Sequence, residues 1–348
     1  MKAAGAVGFA AILNPKAMDV PWSRVASSRS NPAMVLAGVE HSDGEGLRFS
    51  LTINPAAADR FLAGSGHTVT ELLADADSGW PLPHFPLRRR IAVTQAFVHS
   101  EAESPNVAGV LEGDEPKLRD EYVILSAHLD HLGIGAPVHG DRIYNGALDN
   151  AAGIASLIEI ARHLHESGVR LRRSVLFLAV TAEEKGELGS QYFAAHPTVP
   201  PTGIVADINM DMFMPLFPLR YLEVQGLGES TLGASIREAA KEEGVTVQAD
   251  KQPQRNRFIR SDQYSFVKHG IPALAFKFGY ISETREEKTF QGWLHTRYHA
   301  PSDDLSQPVD LAAAAKFDRV IERLLIDVAN GQEKPQWLPT SFFRRFAR

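Results

Sequence analysis

Three apolar runs in this sequence end abruptly in side chains that prefer a metal, a proton or water. YVILSA (122–127) is followed by His128, Leu129, Asp130 and His131, SVLFLAVTA (174–182) by Glu183 and Glu184, and IVADINM (204–210) by Asp211. On extended backbone, residues two apart face the same side, so His128 and Asp130 point together. One can then ligate a cation while the other orients the imidazole. By the same alternation His131 faces away. A histidine at a strand end is more often a surface or hydrogen-bonded residue, so it is left outside the candidate set.

Two neighbouring carboxylates after a buried strand repel unless a cation or a shared proton lies between them. At a solvated helix start Glu183 and Glu184 would be ordinary. The chemical reading divides their labour: adjacent side chains diverge, leaving Glu184 to bind metal and Glu183 free as a general base. Asp211 sits among methionines and a phenylalanine in NMDMF (209–213) and needs a counter-charge there. Asp149, in GALDNAAG (146–153), is either the N-cap of the helical pattern that follows or a ligand. Gly146 and Gly153 beside it permit close backbone approach. His299 lies in the loop TRYHAPSDD (296–304), and its weight comes from the company it keeps. The chain has no cysteine, so any metal must be held by His, Asp and Glu.

These side chains need elements that bring them together. Strands are expected at 122–127, 174–181, 204–210 and 272–278, and all the candidate residues named above from the first three lie at carboxyl ends, where open α/β sheets build their sites. Apolar residues at 154, 157, 158, 161 and 164 form a helical stripe within residues 150–167, and residues 311–330 repeat the pattern. Runs alternating with longer helical patterns from about residue 91 predict an α/β sheet covered by helices on both faces. Residues 1–90 carry short runs such as AVGFAAIL, AMVLAG and LRFSLTI between Pro, Asn, Ser and Gly. They read as a smaller strand-rich module, with DSGWPLPHFPLRRR as its exit linker.

The 348 residues are 44% hydrophobic, enough for a sizeable core, and their formal charge of −6 offers no basic face to nucleic acid or anionic lipid. A small molecule or a peptide is the expected partner. No apolar run approaches the roughly 20 residues of a membrane span, and MKAAGAVGFAAILNP is too weakly charged for a secretion signal.

The ordered set His128-x-Asp130, Asp149-Asn150, Glu183-Glu184, Asp211 and His299 resembles the M28 metallopeptidase family, the zinc aminopeptidases. GALDNAAG, TAEEKGELGSQYF, NMDM, SDQYSFVKHGIPAL and YHAPSDD are similar to that family's blocks, and the resemblance covers roughly 95–330. It implies a three-layer α/β/α sandwich around a mixed sheet, of the zinc-peptidase (phosphorylase/hydrolase-like) type, as a catalytic domain over 91–348. By that resemblance His128 and Asp211 hold one zinc, Glu184 and His299 a second, and Asp149 bridges them. Asp130 orients His128, and Glu183 is the base and later the acid. Tyr298 matches a tyrosine that, in one branch of the family, hydrogen-bonds the tetrahedral intermediate. Three ligating carboxylates against two divalent cations leave about one positive charge, which a bridging hydroxide would neutralise.

Residues 1–90 resemble the tail of a protease-associated domain, entered partway and without the leading strands and secretion signal of relatives. Relatives with signals are exported, which implies a periplasmic or extracellular location. The leading expectation is an aminopeptidase acting on peptide substrates. A dipeptidase or carboxypeptidase, a glutaminyl cyclase with one zinc, and a non-catalytic receptor-like scaffold are the alternatives. An M20-type deacylase is disfavoured because 211–299 has little room for a lid domain. The first-residue pocket is expected in the loops 212–220 and 280–295.

Overall fold

A computed structural model of the chain describes residues 5–18, 20–28, 31–37, 47–94, 96 and 98–347. They fall into two compact units, the first drawn from Met1–Arg29 and Ala37–Glu103, the second from Ser30–Leu36 and Ser104–Arg348. In the first unit, strands β1 (Gly8–Ile12) and β2 (Phe49–Ile53) pair in parallel. Helices α1 (Trp22–Ser28), α2 (Asp59–Leu62) and α3 (Val69–Asp77) accompany them. Its small core is Ile53, Ala58, Leu62 and Val69. AVGFAAIL and LRFSLTI supply the two strands, whereas residues 33–37 of AMVLAG form none.

The second unit is built on β3 (Val107–Leu111), β4 (Tyr122–His128), β5 (Gly133–Val138), β6 (Asp141–Tyr144), β7 (Ser174–Val180), β8 (Ile204–Asn209), β9 (Tyr221–Gln225), β10 (Thr246–Ala249) and β11 (Ala273–Gly279). β5 and β6 form a hairpin apart from the main sheet, whose seven strands run in the order β10-β9-β11-β8-β4-β7-β3. The four central strands, β11, β8, β4 and β7, are mutually parallel, while β9 and β3 lie antiparallel to β11 and β7. From β4 the chain goes first to β7 on one side and then to β8 on the other. The carboxyl end of β4 is therefore the point where strand order reverses, and crevices form there.

Helices α4 (Ala152–Ser167), α5 (Leu188–Ala195), α6 (Leu232–Glu242), α7 (Gln263–Lys268), α8 (Arg285–Thr296) and α9 (Leu311–Asn330) cover the sheet. Strand alternation assigns them to layers. Val123, Leu125, Ala127, Val175, Phe177 and Ile208 share one core with α4, α6, α8 and α9. Ile124, Leu176, Leu178 and Val180 share another with Phe193 of α5 and Phe266 of α7. The unit is thus a three-layer α/β/α sandwich around a mixed sheet. The expected strands match within a residue, as does the helix over 311–330. Three strands of the sheet were not anticipated. β3 is an edge strand whose VAGVL is largely exposed, β10 has four residues, and Glu223 and Gln225 interrupt the apolar pattern of β9.

In the larger core Phe317 of α9 is fully buried and stacks on Phe213, with ring centroids 4.2 Å apart and planes at 10°. Phe276 and Phe278 of β11 also pack on it, the first in a T-shaped pair at 69° and the second tilted at 47°. Removing that ring leaves a cavity that neighbouring aromatics fill only in part, so Phe317→Ala should cost about 3–5 kcal/mol in urea unfolding. A loss below about 1 kcal/mol, the ordinary effect of a surface change, would show that α9 does not depend on this stack.

Candidate metal centre

β8, β4 and β7 are neighbours, so their carboxyl ends deliver Asp211, His128 and the Glu183-Glu184 turn side by side. On β4 the residues Ile124, Ser126 and His128 share the face toward α5 and α7. On that face, toward the carboxyl ends, apolar packing gives way to the buried polar residues Ser126, Asp207 and Asn209. Ser126 Oγ stands 2.7 Å from Asp207 Oδ1, and the Asn209 amide donates to Ser261 Oγ at 3.0 Å and Gln263 Oε1 at 2.7 Å. Ser261 in turn donates to Asp211 Oδ2 at 2.7 Å. Burial pushes the neighbouring Asp262 carboxyl up to about 7.

His128 is wholly buried. Its Nδ1 lies 3.0 Å from the Asp130 carbonyl oxygen, which can only accept. Nδ1 therefore carries a proton, and Nε2 points inward at the carboxylates, protonated in the absence of a cation and free to ligate one when it is bound. Nε2 stands 3.3 Å from Asp149 Oδ1 and 3.4 Å from Asp211 Oδ1. The carbonyl, not the expected carboxylate, is what orients this ring: Asp130 Oδ1 is 3.9 Å away. β4 stops at His128, so the alternation that would have aligned the two side chains does not extend to residue 130. The Asp130 carboxylate instead accepts from the backbone N–H of Glu183 at 3.0 Å and of Glu184 at 3.3 Å. It fixes the turn that carries both glutamates.

Asp149 is not an N-cap. α4 begins at Ala152 with no side-chain cap, and Asp149 and Asn150 have non-helical backbone angles. Its carboxylate is buried and faces two ways, Oδ1 toward His128 and Oδ2 toward His299 Nε2 at 3.4 Å. The Asp303 carboxylate accepts from Leu148 N at 2.9 Å and Asp149 N at 3.0 Å, and the Asn150 amide donates to Met210 O at 2.9 Å. Gly153 lets α4 approach, since a Cβ there would press on Met210 O and the Asn150 side chain. Glu184 Oε2 is 3.2 Å from His299 Nε2. Tyr298 packs beside them, its ring 3.9 Å from that of His299.

The structure thus brings together His128, Asp149, Glu184, Asp211 and His299, with Asp130, Glu183 and Tyr298 around them. It also brings His131, which the sequence reading turned away. The imidazole is buried, with Nδ1 2.8 Å from Glu184 Oε1 and 3.8 Å from Asp149 Oδ2. The cause is again the end of β4, after which the backbone no longer alternates. Asp303, Asn150 and Ser261, which hold the ligand loops, were also missed as positioning groups. Asp303 stood in the quoted YHAPSDD, but no local signal marked it, because its partners Leu148 and Asp149 are far away in sequence.

Burial opposes the charge on Asp149, yet His128 and His299 hold its carboxyl below the usual range. Burial likewise opposes charge on the two histidines, and their carboxylate partners overcome it. His128 rises well above 6.5 through Asp149 and Asp211, and His299 rises to about 10 through Asp149 and Glu184. Burial drives the Glu183 carboxyl and the Tyr298 phenol well up.

The donor atoms fit divalent cations. His128, Asp149 and Asp211 offer three ligand atoms within 4.8 Å of one another, and His131, Asp149 and Glu184 offer another three. Among the described residues, Asp149 Oδ2, Glu184 Oε1 and both ring nitrogens of His131 are buried without a hydrogen-bond partner. Oxygen and imidazole donors of this kind suit zinc and its neighbours.

The sequence pattern of Peptidase family M28 matches residues 106–325. Carboxypeptidase Q of Xenopus laevis is 29% identical over 123 residues, 35% of this chain and 24% of that protein. Aminopeptidase NAALADL1 of Mus musculus is 36% identical over 121 residues, 32% of this chain and 14% of that protein. The chain thus spans about a quarter or less of the length of these curated relatives. Among solved structures, BSAP, a zinc aminopeptidase from Bacillus subtilis, is 22% identical with a TM-score of 0.49, over 66% of this chain and 51% of that one.

With metal removed, His299 sets a testable pH dependence. Its folded pKa of about 10 exceeds the ordinary 6.5, so its contribution to stability is complete below about pH 6.5 and is lost as pH rises through about 10. In chelator-treated protein, the melting-temperature gap between wild type and His299→Gln should close over that window. A gap that stays constant would remove the charged imidazole from this account.

Proposed function

The chain belongs to peptidase family M28, a metallopeptidase therefore, and from that premise we propose that it is a two-zinc aminopeptidase removing N-terminal residues from peptides. The observation that carries the reading is the buried Asp149 carboxylate, whose two oxygens face different clusters of donors. In this reading His128 and Asp211 hold one zinc, Glu184 and His299 the other, and Asp149 is shared. Bound there, the cations supply a lowered water pKa and polarisation of the scissile carbonyl.

The chain's own residues do the remainder. Glu183 takes a proton from the attacking water and returns it to the departing amine. Burial raises its carboxyl toward the range where one group can do both. The Asp130 carboxylate accepts from the Glu183 backbone N–H and so holds the base in place. The raised pKa of Tyr298 keeps its phenol protonated at neutral pH, able to donate to the oxyanion that forms as the carbonyl is attacked. The first unit, read as a protease-associated-like module, and an exported location belong to the same proposal. Among the described residues no helix is long and apolar enough to cross a membrane.

The names of the two relatives point to opposite ends of a peptide, which makes a carboxypeptidase or dipeptidase the second reading. Amino acid p-nitroanilides with free and blocked amines, set beside peptides with free and amidated carboxyl ends, separate the two. An enzyme indifferent to a blocked amine is not an aminopeptidase. Stripping divalent ions should abolish hydrolysis and zinc should restore it, so activity that survives stripping contradicts the reading. Glu183→Gln should keep both metals by elemental analysis and lose about 10²- to 10⁴-fold in kcat, the usual worth of a general base. Unchanged turnover would take Glu183 out of the mechanism.

A further inference from the structure

We propose that His131 is a further protein ligand of the cation site formed by Asp149, Glu184 and His299, an inference that rests on the two-zinc reading above. The side chain is 6% exposed, and neither ring nitrogen has a hydrogen-bond partner. A desolvated imidazole with nothing to answer it is unfavourable, so the position asks for a partner. Nδ1 stands 2.8 Å from Glu184 Oε1 and 3.8 Å from Asp149 Oδ2, two oxygens that likewise have no hydrogen-bond partner. The 2.8 Å approach lacks hydrogen-bond geometry. Three donor atoms mutually within 4.8 Å, none with a hydrogen-bond partner, are what a cation between them would satisfy.

The surroundings are shaped for the ring. His299 meets it edge-on, with centroids 5.7 Å apart and planes at 69°. Gly146 lies against its other side, where a Cβ would come 2.6 Å from His131 Cγ. Only a residue without a side chain leaves the imidazole in place, and Gly146 also has φ of +69°.

The consequence is an asymmetry between the sites. His131, Asp149 and Glu184 form one compact donor group, and with His299 beside Asp149 and Glu184 the set would offer one cation four protein donors, as closed zinc sites do. His128, Asp149 and Asp211 give the other three, which leaves a coordination position open. The four-donor site would then be the tighter of the two.

Metal content of the purified protein, dialysed against zinc buffers of decreasing free concentration, tests this together with zinc-edge X-ray absorption. Wild type should bind two equivalents of unequal affinity, with three imidazoles over the two ions. His131→Ala should weaken the tighter site on the order of 10- to 100-fold, leave the weaker one unchanged, and drop the count to two imidazoles. His131→Asn separates ligation from positioning. An amide reaching Glu184 would rescue affinity if the histidine merely held that carboxylate, and full rescue would overturn the proposal. So would unchanged zinc affinity in His131→Ala, with the two-zinc reading left standing. If the variants do not fold, two imidazoles in wild type alone would refute it. A wild type that takes up no second equivalent removes both the reading and the inference.

Discussion

A carboxylate taken out of water is the constraint to which the rest of the larger unit answers. Asp149 is buried, and such a charge persists only where opposite charge and hydrogen bonds surround it. Imidazoles of His128 and His299 approach its two oxygens, and Asp303 fixes its backbone N–H. Neither histidine would be so charged without it, and it would not stay ionised without them. The cluster is a mutual arrangement of groups, none of which is stable alone at that depth.

The sheet supplies the precision. Parallel neighbours end at one level, so three adjacent strands present their last residues within a few ångströms of each other without any loop needing to reach. Behind them, the face toward α5 and α7 changes from Ile124, Leu176 and Leu178 to Ser126, Asp207 and Asn209 as it nears the carboxyl ends. That change converts a packing layer into a hydrogen-bonded one. The chain of contacts from Asn209 through Ser261 to Asp211 fixes that carboxylate from within the sandwich, in the manner of the supporting shells of metal sites.

Much of this was legible because apolar runs carry their own boundaries. β4 and β7 are largely Val, Ile, Leu and Ala and β8 starts the same way, and the polar residues at or just beyond the end of each run, His128, Glu183-Glu184 and Asp211, are among those the structure brings together. Edge strands were not legible, since β3 buries little and β10 is short. Position 131 was misread for a more instructive reason. Alternation is a property of extended backbone, and the strand ended three residues earlier than the rule was applied. The same error assigned the His128 ring to the Asp130 carboxylate when the main-chain carbonyl held it. Asp303 was invisible to any local pattern, because its partners lie more than 150 residues back.

That last contact has a bearing on biosynthesis. Asp303 and His299 come from one short loop, and both grip Asp149, which was translated about half the polypeptide earlier. While the ribosome is still copying the middle of the message, the strands that carry His128 and Glu184 can already pair. The buried cluster stays unfinished until this loop leaves the exit tunnel, so it is assembled only after the strands behind it.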